Sequence, residues 1–96
     1  MVQFNRRHLA DVCRSNRIAR LRIFGSAARG DERPDSDVDL IADFDPPVGF
    51  FELIRAEDGL SAFFGRPVDL LTERAISPHM REAVLKEAEV IFDARD

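Results

Sequence analysis

The sequence has 96 residues, which suits one small domain, so we expect a single unit over residues 1–96. Its content of 45% hydrophobic and 33% charged residues is typical of a soluble globular chain, and no apolar run approaches the roughly 20 residues of a membrane span. One cysteine excludes an internal disulfide framework, and the N-terminus lacks a secretory h-region, so we expect a cytoplasmic protein.

The charge is distributed unevenly along the chain. The net charge is −4, yet residues 1–33 carry eight arginines against three acids, and residues 34–73 carry ten acids against two arginines. Proteins that bind long nucleic-acid duplexes are usually basic overall, so that function is not expected. The acidic middle suits divalent cations and the basic N-terminal third suits phosphates; a solvated surface of uneven charge is the alternative.

The first half of the chain predicts one helix, two strands and a helical turn between the strands. Leu9, Val12 and Cys13 recur at helical spacing, whereas the residues from Ile18 to Phe24 alternate between apolar and polar. The predicted elements are a helix over 5–16, a strand over 18–24, a turn over 27–30 and, after a polar loop over 31–35, a second strand over 36–44.

The second half predicts two more helices and a third strand. The elements are a helix over 49–65, with an interruption near Gly59 left open, a strand over 68–71, and a helix that starts at Pro78 after Ser77 as N-cap. Residues 90–92 either continue that helix or form an edge strand. This order favours an α/β (α+β) domain, a small mixed sheet flanked by helices.

Gly25 and Ser26 follow the first strand and open the helical turn. Glycine allows another group to approach the backbone closely, and the serine hydroxyl with the amides of the turn can hold a phosphate. For the pair taken alone, an ordinary strand-to-helix connection with the serine as N-cap is the favoured interpretation.

Three acidic residues are candidates for a metal site. Asp37 and Asp39 are two residues apart in the second predicted strand, so both carboxylates are expected on one face. Asp69 lies in the apolar third strand and completes a three-carboxylate cluster if that strand is adjacent. Two neighbouring carboxylates such as those of Asp37 and Asp39 repel each other unless a cation lies between them, and Mg²⁺ prefers oxygen ligands. Half-exposed strands with water-facing acids are the alternative.

Taken together, these residues form a pattern of fixed spacing: Gly25-Ser26, ten residues, then Asp37-x-Asp39. Four specified positions at fixed spacing occur by chance in about one chain in a thousand. The segments 24–30 and 36–40 closely resemble the signature of the DNA polymerase β-like nucleotidyltransferase superfamily. The short length resembles its minimal members, the MNT-domain proteins.

The resemblance implies a role for each matching position. Gly25 and Ser26 match the pair that holds the nucleotide triphosphate, Arg29 lies where the family has a basic residue near the phosphates, and Ser36 belongs to the nucleotide-binding part of the signature. The three acids match the carboxylates that bind two Mg²⁺ ions: Asp37, Asp39 and Asp69. The third of them completes one metal site and helps to deprotonate the attacking hydroxyl. ATP is the implied substrate.

The resemblance also implies a partner. Minimal nucleotidyltransferases are typically encoded beside a HEPN-domain ribonuclease toxin and act as its antitoxin, and some transfer AMP from ATP to a toxin tyrosine. The sequence contains no tyrosine, so a tyrosine acceptor must belong to another molecule. Two alternatives remain: an antitoxin that neutralises by binding alone, and a transferase acting on an RNA end or a small molecule.

The remaining distinctive residues are given ordinary structural roles. Cys13 is expected in the core. The four phenylalanines of the predicted long helix are expected mostly in the core, with some of the eight exposed for a partner: Phe50, Phe51, Phe63 and Phe64. A solvated helix face is the favoured interpretation of four N-terminal arginines, and contact with phosphates or an acidic partner is the alternative: Arg6, Arg7, Arg14 and Arg17.

Overall fold

The computed structural model describes residues 3–31, 33 and 36–95, so the loop predicted over 31–35 lies only partly within it. In chain order the elements are α1 (Arg6–Ser15), β1 (Ile18–Phe24), α2 (Ser26–Arg29), β2 (Val38–Phe44), α3 (Phe50–Phe64), β3 (Val68–Leu71), a 3₁₀ turn (Glu73–Ala75), α4 (Pro78–Glu87) and β4 (Glu89–Asp93). Residues 90–92, which were ambiguous in the sequence, belong to the last of these strands.

The four strands form one mixed sheet in the order β3-β2-β1-β4. Strand β1 runs antiparallel to both of its neighbours, and β2 runs parallel to β3. A parallel pair requires a crossover connection, which α3 supplies between the two strands. The prediction of a small mixed sheet flanked by helices is therefore confirmed.

The hydrophobic core lies between one face of the sheet and helices α1 and α3. Leu21, Ile23 and Leu40 project from the sheet and are fully buried, as is Leu60 of α3. Cys13 of α1 is also fully buried, which raises the pKa of its thiol to about 12 and confirms it as a core residue.

Local sequence signals account for the helix boundaries. The Asn5 side chain accepts a hydrogen bond of 3.0 Å from the His8 amide, which caps the start of α1. Helix α3 is continuous through Gly59. This small residue lies where α3 packs beside Val12 and Asn16 of α1. The interruption left open at this glycine is not present.

Side chains from the helices form hydrogen bonds with backbone groups at both edges of the sheet. On the β3 edge, Glu57 accepts a hydrogen bond of 2.9 Å from the Leu70 amide, and Ser61 accepts one of 3.0 Å from the Val68 amide. On the β4 edge, the Arg6 guanidinium donates a hydrogen bond of 3.3 Å to the Ile91 carbonyl. Arg6 therefore has a structural contact in addition to its solvated position.

The phenylalanines of α3 divide between core and surface. Phe63 and Phe64 pack against the core and meet Phe4 edge-to-face. Phe50 and Phe51 are 70% and 84% exposed, so the expected core position is wrong for these two, while the expectation that some phenylalanines are exposed is confirmed. They occupy the first turn of α3, whereas the buried residues of this helix, Ala56 and Leu60, lie in its second and third turns. Among the described residues, no helix has the length and hydropathy needed to cross a membrane.

Candidate active site

The predicted site lies on the face of the sheet opposite α1 and α3. Strand pairing places Phe24, Asp39 and Asp69 in one row across three strands. Because paired residues on adjacent strands share a face and strands are about 4.8 Å apart, the two carboxylates are direct neighbours. The structure therefore brings together two of the three predicted acids, residues 30 apart in sequence. Asp39 is partly buried and Asp69 is exposed.

Asp37 differs from its predicted position. Strand β2 begins at Val38, whose amide donates to the Pro67 carbonyl, so Asp37 lies in the loop before the strand rather than within it. The preceding turn explains the later start, since the amide of Ser36 donates to the Arg33 carbonyl and its hydroxyl accepts from the Arg33 amide. The expectation that both carboxylates project from one strand face was wrong in this respect. Asp37 is exposed.

Gly25 provides the closest approach in the site. Its φ of 73° and ψ of −151° belong to a region that is essentially restricted to glycine. A Cβ atom at this position would lie 2.5 Å from Oδ2 of Asp39. The group that approaches the glycine backbone is therefore the carboxylate of this same chain, and α2 starts directly beside it.

The acids interact electrostatically. The pKa of Asp39 is raised above its ordinary value, first by burial and then by the negative charges of Asp69 and Asp37; the charge of Arg29 acts in the opposite direction. Asp37, Asp69 and Arg29 consequently all lie within electrostatic range of Asp39. Ionised Asp39 carries a cost in the folded protein that a bound cation would relieve.

Arg29, predicted near the phosphates, is held by two acids. Its Nη1 donates to Glu87 at 2.6 Å and its Nε to Asp31 at 3.4 Å. These two partners raise the pKa of the guanidinium. The remaining N–H groups of its Nη2 have no hydrogen bond within the described part of the chain. Glu87 at the end of α4 was not among the predicted site residues, and no motif near it indicated the contact.

The donor set suits Mg²⁺ in its chemistry, because it consists of carboxylates that repel one another. Within residues 3–31, 33 and 36–95, however, no three acidic, histidine or cysteine side chains converge closely enough to hold a metal ion. The predicted three-carboxylate cluster of Asp37, Asp39 and Asp69 is therefore not formed as such. Asp39 and Asp69 are in register, while Asp37 stands outside the strand.

A second polar network on the same sheet face was missed. Arg22, one of the polar residues in the alternation of β1, is only 9% exposed. Its Nη2 lies 2.6 Å from Oε1 of Glu73 and 3.6 Å from Oδ2 of Asp43. Arg20 also binds Asp43, at 2.8 Å. The alternation of apolar and polar residues identified strand β1. It could not predict that the distant 3₁₀ turn places Glu73 beside Arg22.

Glu73→Gln is expected to lower the free energy of unfolding at pH 7 by about 1 kcal/mol, because it weakens the bond to buried Arg22 while solvent screens part of the loss. Arg22 holds the pKa of Glu73 below its ordinary value of 4.5. The stabilisation is therefore present above that value and is lost as the pH falls through the folded-state pKa. Urea unfolding at pH 7 and pH 3 measures it.

The matched control is Glu82→Gln on exposed α4, which should be neutral at both pH values. A Glu73→Gln deficit that is equal at pH 7 and pH 3 would contradict the ion-pair explanation.

Comparison with known families decides the classification. The family model of the nucleotidyltransferase domain matches residues 6–91. The chain belongs to this family. A protein adenylyltransferase of Thermococcus cleftensis, MntA, is 35% identical over 68% of this chain and 66% of its own length. A Methanocaldococcus jannaschii chain described as a protein adenylyltransferase is 30% identical over 86% of this chain and 89% of its own length.

Solved structures agree with the nucleotidyltransferase fold. A minimal nucleotidyltransferase superimposes with a TM-score of 0.75 at 37% identity, covering 88% of this chain and 86% of that one. A chain from a toxin–antitoxin complex with AMP-PNP superimposes with a TM-score of 0.77 at 18% identity, covering 94% of this chain and 74% of that one. A chain from the complex of tri-AMPylated Shewanella oneidensis HEPN toxin with MNT antitoxin superimposes with a TM-score of 0.64 at 18% identity. The match covers 99% of this chain and 75% of that one. At such low identity, the last two establish the fold alone.

Proposed function

We propose that this nucleotidyltransferase is an antitoxin that transfers AMP from ATP to a tyrosine hydroxyl of a HEPN-domain toxin, in a reaction that depends on Mg²⁺. The observation that carries the proposal is the Asp39 carboxylate lying against the Gly25 turn with Asp69 beside it in register. The relatives described as protein adenylyltransferases and the AMPylated toxin in a structural neighbour support it. The missing tyrosine is consistent with an acceptor on another molecule.

In this proposal the triphosphate lies along the turn of Gly25 and Ser26, with Arg29 on its charged oxygens. Arg29 reaches them with the N–H groups of Nη2 that Glu87 and Asp31 leave free. The oxygen ligands of two Mg²⁺ ions would come from Asp39 and Asp69, which are in register, and from Asp37, whose charge acts on Asp39 although the three carboxylates do not converge in the ligand-free chain. When bound, Mg²⁺ would neutralise phosphate charge and favour the ionised acceptor oxygen.

The transfer step forms a bond from the acceptor oxygen to the α-phosphorus of ATP. The bond from that phosphorus to the oxygen bridging to the β-phosphate breaks, and pyrophosphate leaves with both electrons. The acceptor proton passes to the exposed carboxylate of Asp69, which lies at the open side of the row where a partner can approach. The more buried Asp39 is placed to remain with the phosphates.

Labelled ATP tests the proposal. A HEPN-domain toxin produced without this chain is incubated with the purified chain, Mg²⁺ and ATP labelled at either the α- or the γ-phosphate. Label should enter the toxin from the α-position only, its mass should rise by AMP groups, and peptide mapping should place them on tyrosine. The same incubation without Mg²⁺ should give no product.

The outcomes separate the proposal from its rivals. Neutralisation of the toxin without label would indicate an antitoxin that acts by binding alone. Label that enters RNA or a small molecule in place of the toxin would indicate a different acceptor. Either result would overturn the proposed reaction.

A further inference from the structure

The outward face of α3 is an exposed surface that the proposed function does not use. Its apolar residues include Phe51, 84% exposed, and Ile54, 38% exposed. Arg55, Asp58 and Ala62 continue the same face one, two and three turns beyond Phe51 and are exposed as well. Neither of these charged residues has an ion pair within the described part of the chain. The face therefore combines unsatisfied charge with unburied apolar area.

The charges and side-chain sizes along this face are complementary to those of a second copy of the same face that runs in the opposite direction. When a second copy of α3 runs antiparallel, Arg55 meets Asp58 of the second copy, and Asp58 meets its Arg55. In the same register the large Phe51 meets the small Ala62 of the second copy. The contacting length from Phe51 to Ala62, twelve residues separated by eleven rises of about 1.5 Å, is about 16 Å. Large side chains thus oppose small ones, as close helix packing requires.

We propose that the outward face of α3 binds a second copy of this chain in an antiparallel helix pair. The two-fold axis passes midway between Arg55 and Asp58, so that two equivalent ion pairs flank it. A parallel arrangement would place Arg55 against Arg55 and is disfavoured by like charge. The charge order of the face selects a second copy, because the antiparallel orientation pairs both of its charged residues at once.

The dimer leaves both nucleotide sites free. Helix α3 covers the sheet face opposite the row of Asp39 and Asp69, so those carboxylates point away from the pairing surface. One helix pair buries less than the roughly 1,600 Å² of a standard stable interface. The association is therefore weak and depends on concentration.

Sedimentation equilibrium from about 10 µM to about 1 mM tests the pairing. The natural chain should rise from its monomer mass of 10.9 kDa towards twice that value with concentration. Phe51→Ser, Arg55→Asp and Asp58→Arg should each raise the dimer Kd at least tenfold. The double variant R55D/D58R should restore the natural Kd, because it exchanges the charges without changing their pairing. Met80→Ser, 60% exposed on α4, is the control that should leave dimerisation unchanged.

Circular dichroism confirms that each variant is folded, which is expected because every substituted side chain is exposed. A monomer across the whole concentration range overturns the proposal. A dimer that Phe51→Ser and Arg55→Asp leave intact also overturns it, because another surface then holds the copies together. Failure of the double variant to recover would overturn the antiparallel register.

Discussion

Asp39→Asn is expected to abolish nucleotide transfer, with a loss of at least about a thousandfold, while raising the melting temperature of the ligand-free protein. Burial and the charges of Asp69 and Asp37 raise the pKa of Asp39, so its ionised form is less favourable in the folded than in the unfolded chain. For an acid with a raised folded-state pKa, stability falls as the pH rises through that pKa. At pH 7 the neutral amide removes this cost.

Two measurements check this expectation. Thermal unfolding with and without Mg²⁺ plus ATP should show a ligand shift in the natural chain, corresponding to about 2.7 kcal/mol at 100 times Kd, and none in the variant. Transfer of α-labelled phosphate should be lost in the same variant. Asp11→Asn, an exposed acid on α1, is the matched control and should retain both. Undiminished transfer by Asp39→Asn would remove this carboxylate from the mechanism.

Gly25→Ala is expected to destabilise the protein by about 3 kcal/mol and to eliminate nucleotide binding. Two costs add. The backbone at φ 73° and ψ −151° is strained for any residue with a side chain, and the new Cβ would meet Oδ2 of Asp39 at 2.5 Å. The carboxylate must move to relieve the contact, so both the turn and the acid leave their positions.

Gly65→Ala separates these two costs. This residue has φ 70° and ψ 24° in the ordinary left-handed region, and no atom lies within 4 Å of its added Cβ. Gly65→Ala should lower the free energy of unfolding by only about 1 kcal/mol, and the variant should keep its ATP-dependent thermal shift. Urea unfolding of both variants measures the difference in stability, and equal losses would show that the approach of Asp39 contributes nothing.

Much of the fold followed from local sequence. Period-two alternation identified β1, Asn5 marked the start of α1, and Pro78 marked the start of α4, because each signal reflects a constraint within a few residues. The signature placed Gly25 before a helical turn and Asp39 on a strand. The third acid, Asp69, needed the parallel pairing of β2 and β3, which the apolar run at 68–71 suggested but could not establish.

Features that depend on distant contacts were not predictable in this way. The start of β2 depends on Pro67, which lies 29 residues beyond Val38, and the burial of Arg22 depends on Glu73. Phe50 and Phe51 match the apolar pattern of α3 yet are exposed, whereas Phe63 and Phe64 at the other end of the helix pack against the core. Periodicity describes which side of a helix is apolar and does not reveal where the surface beneath it stops.

The hydrogen bonds from Glu57, Ser61 and Arg6 to the outer strands bear on how this protein behaves at high concentration. Unpaired backbone groups at the border of a sheet are templates on which strands of other molecules add, and such growth leads to fibres. Here the amides of Val68 and Leu70 and the carbonyl of Ile91 are already engaged. An incoming strand must displace those side chains, so aggregation by strand addition is opposed at both borders.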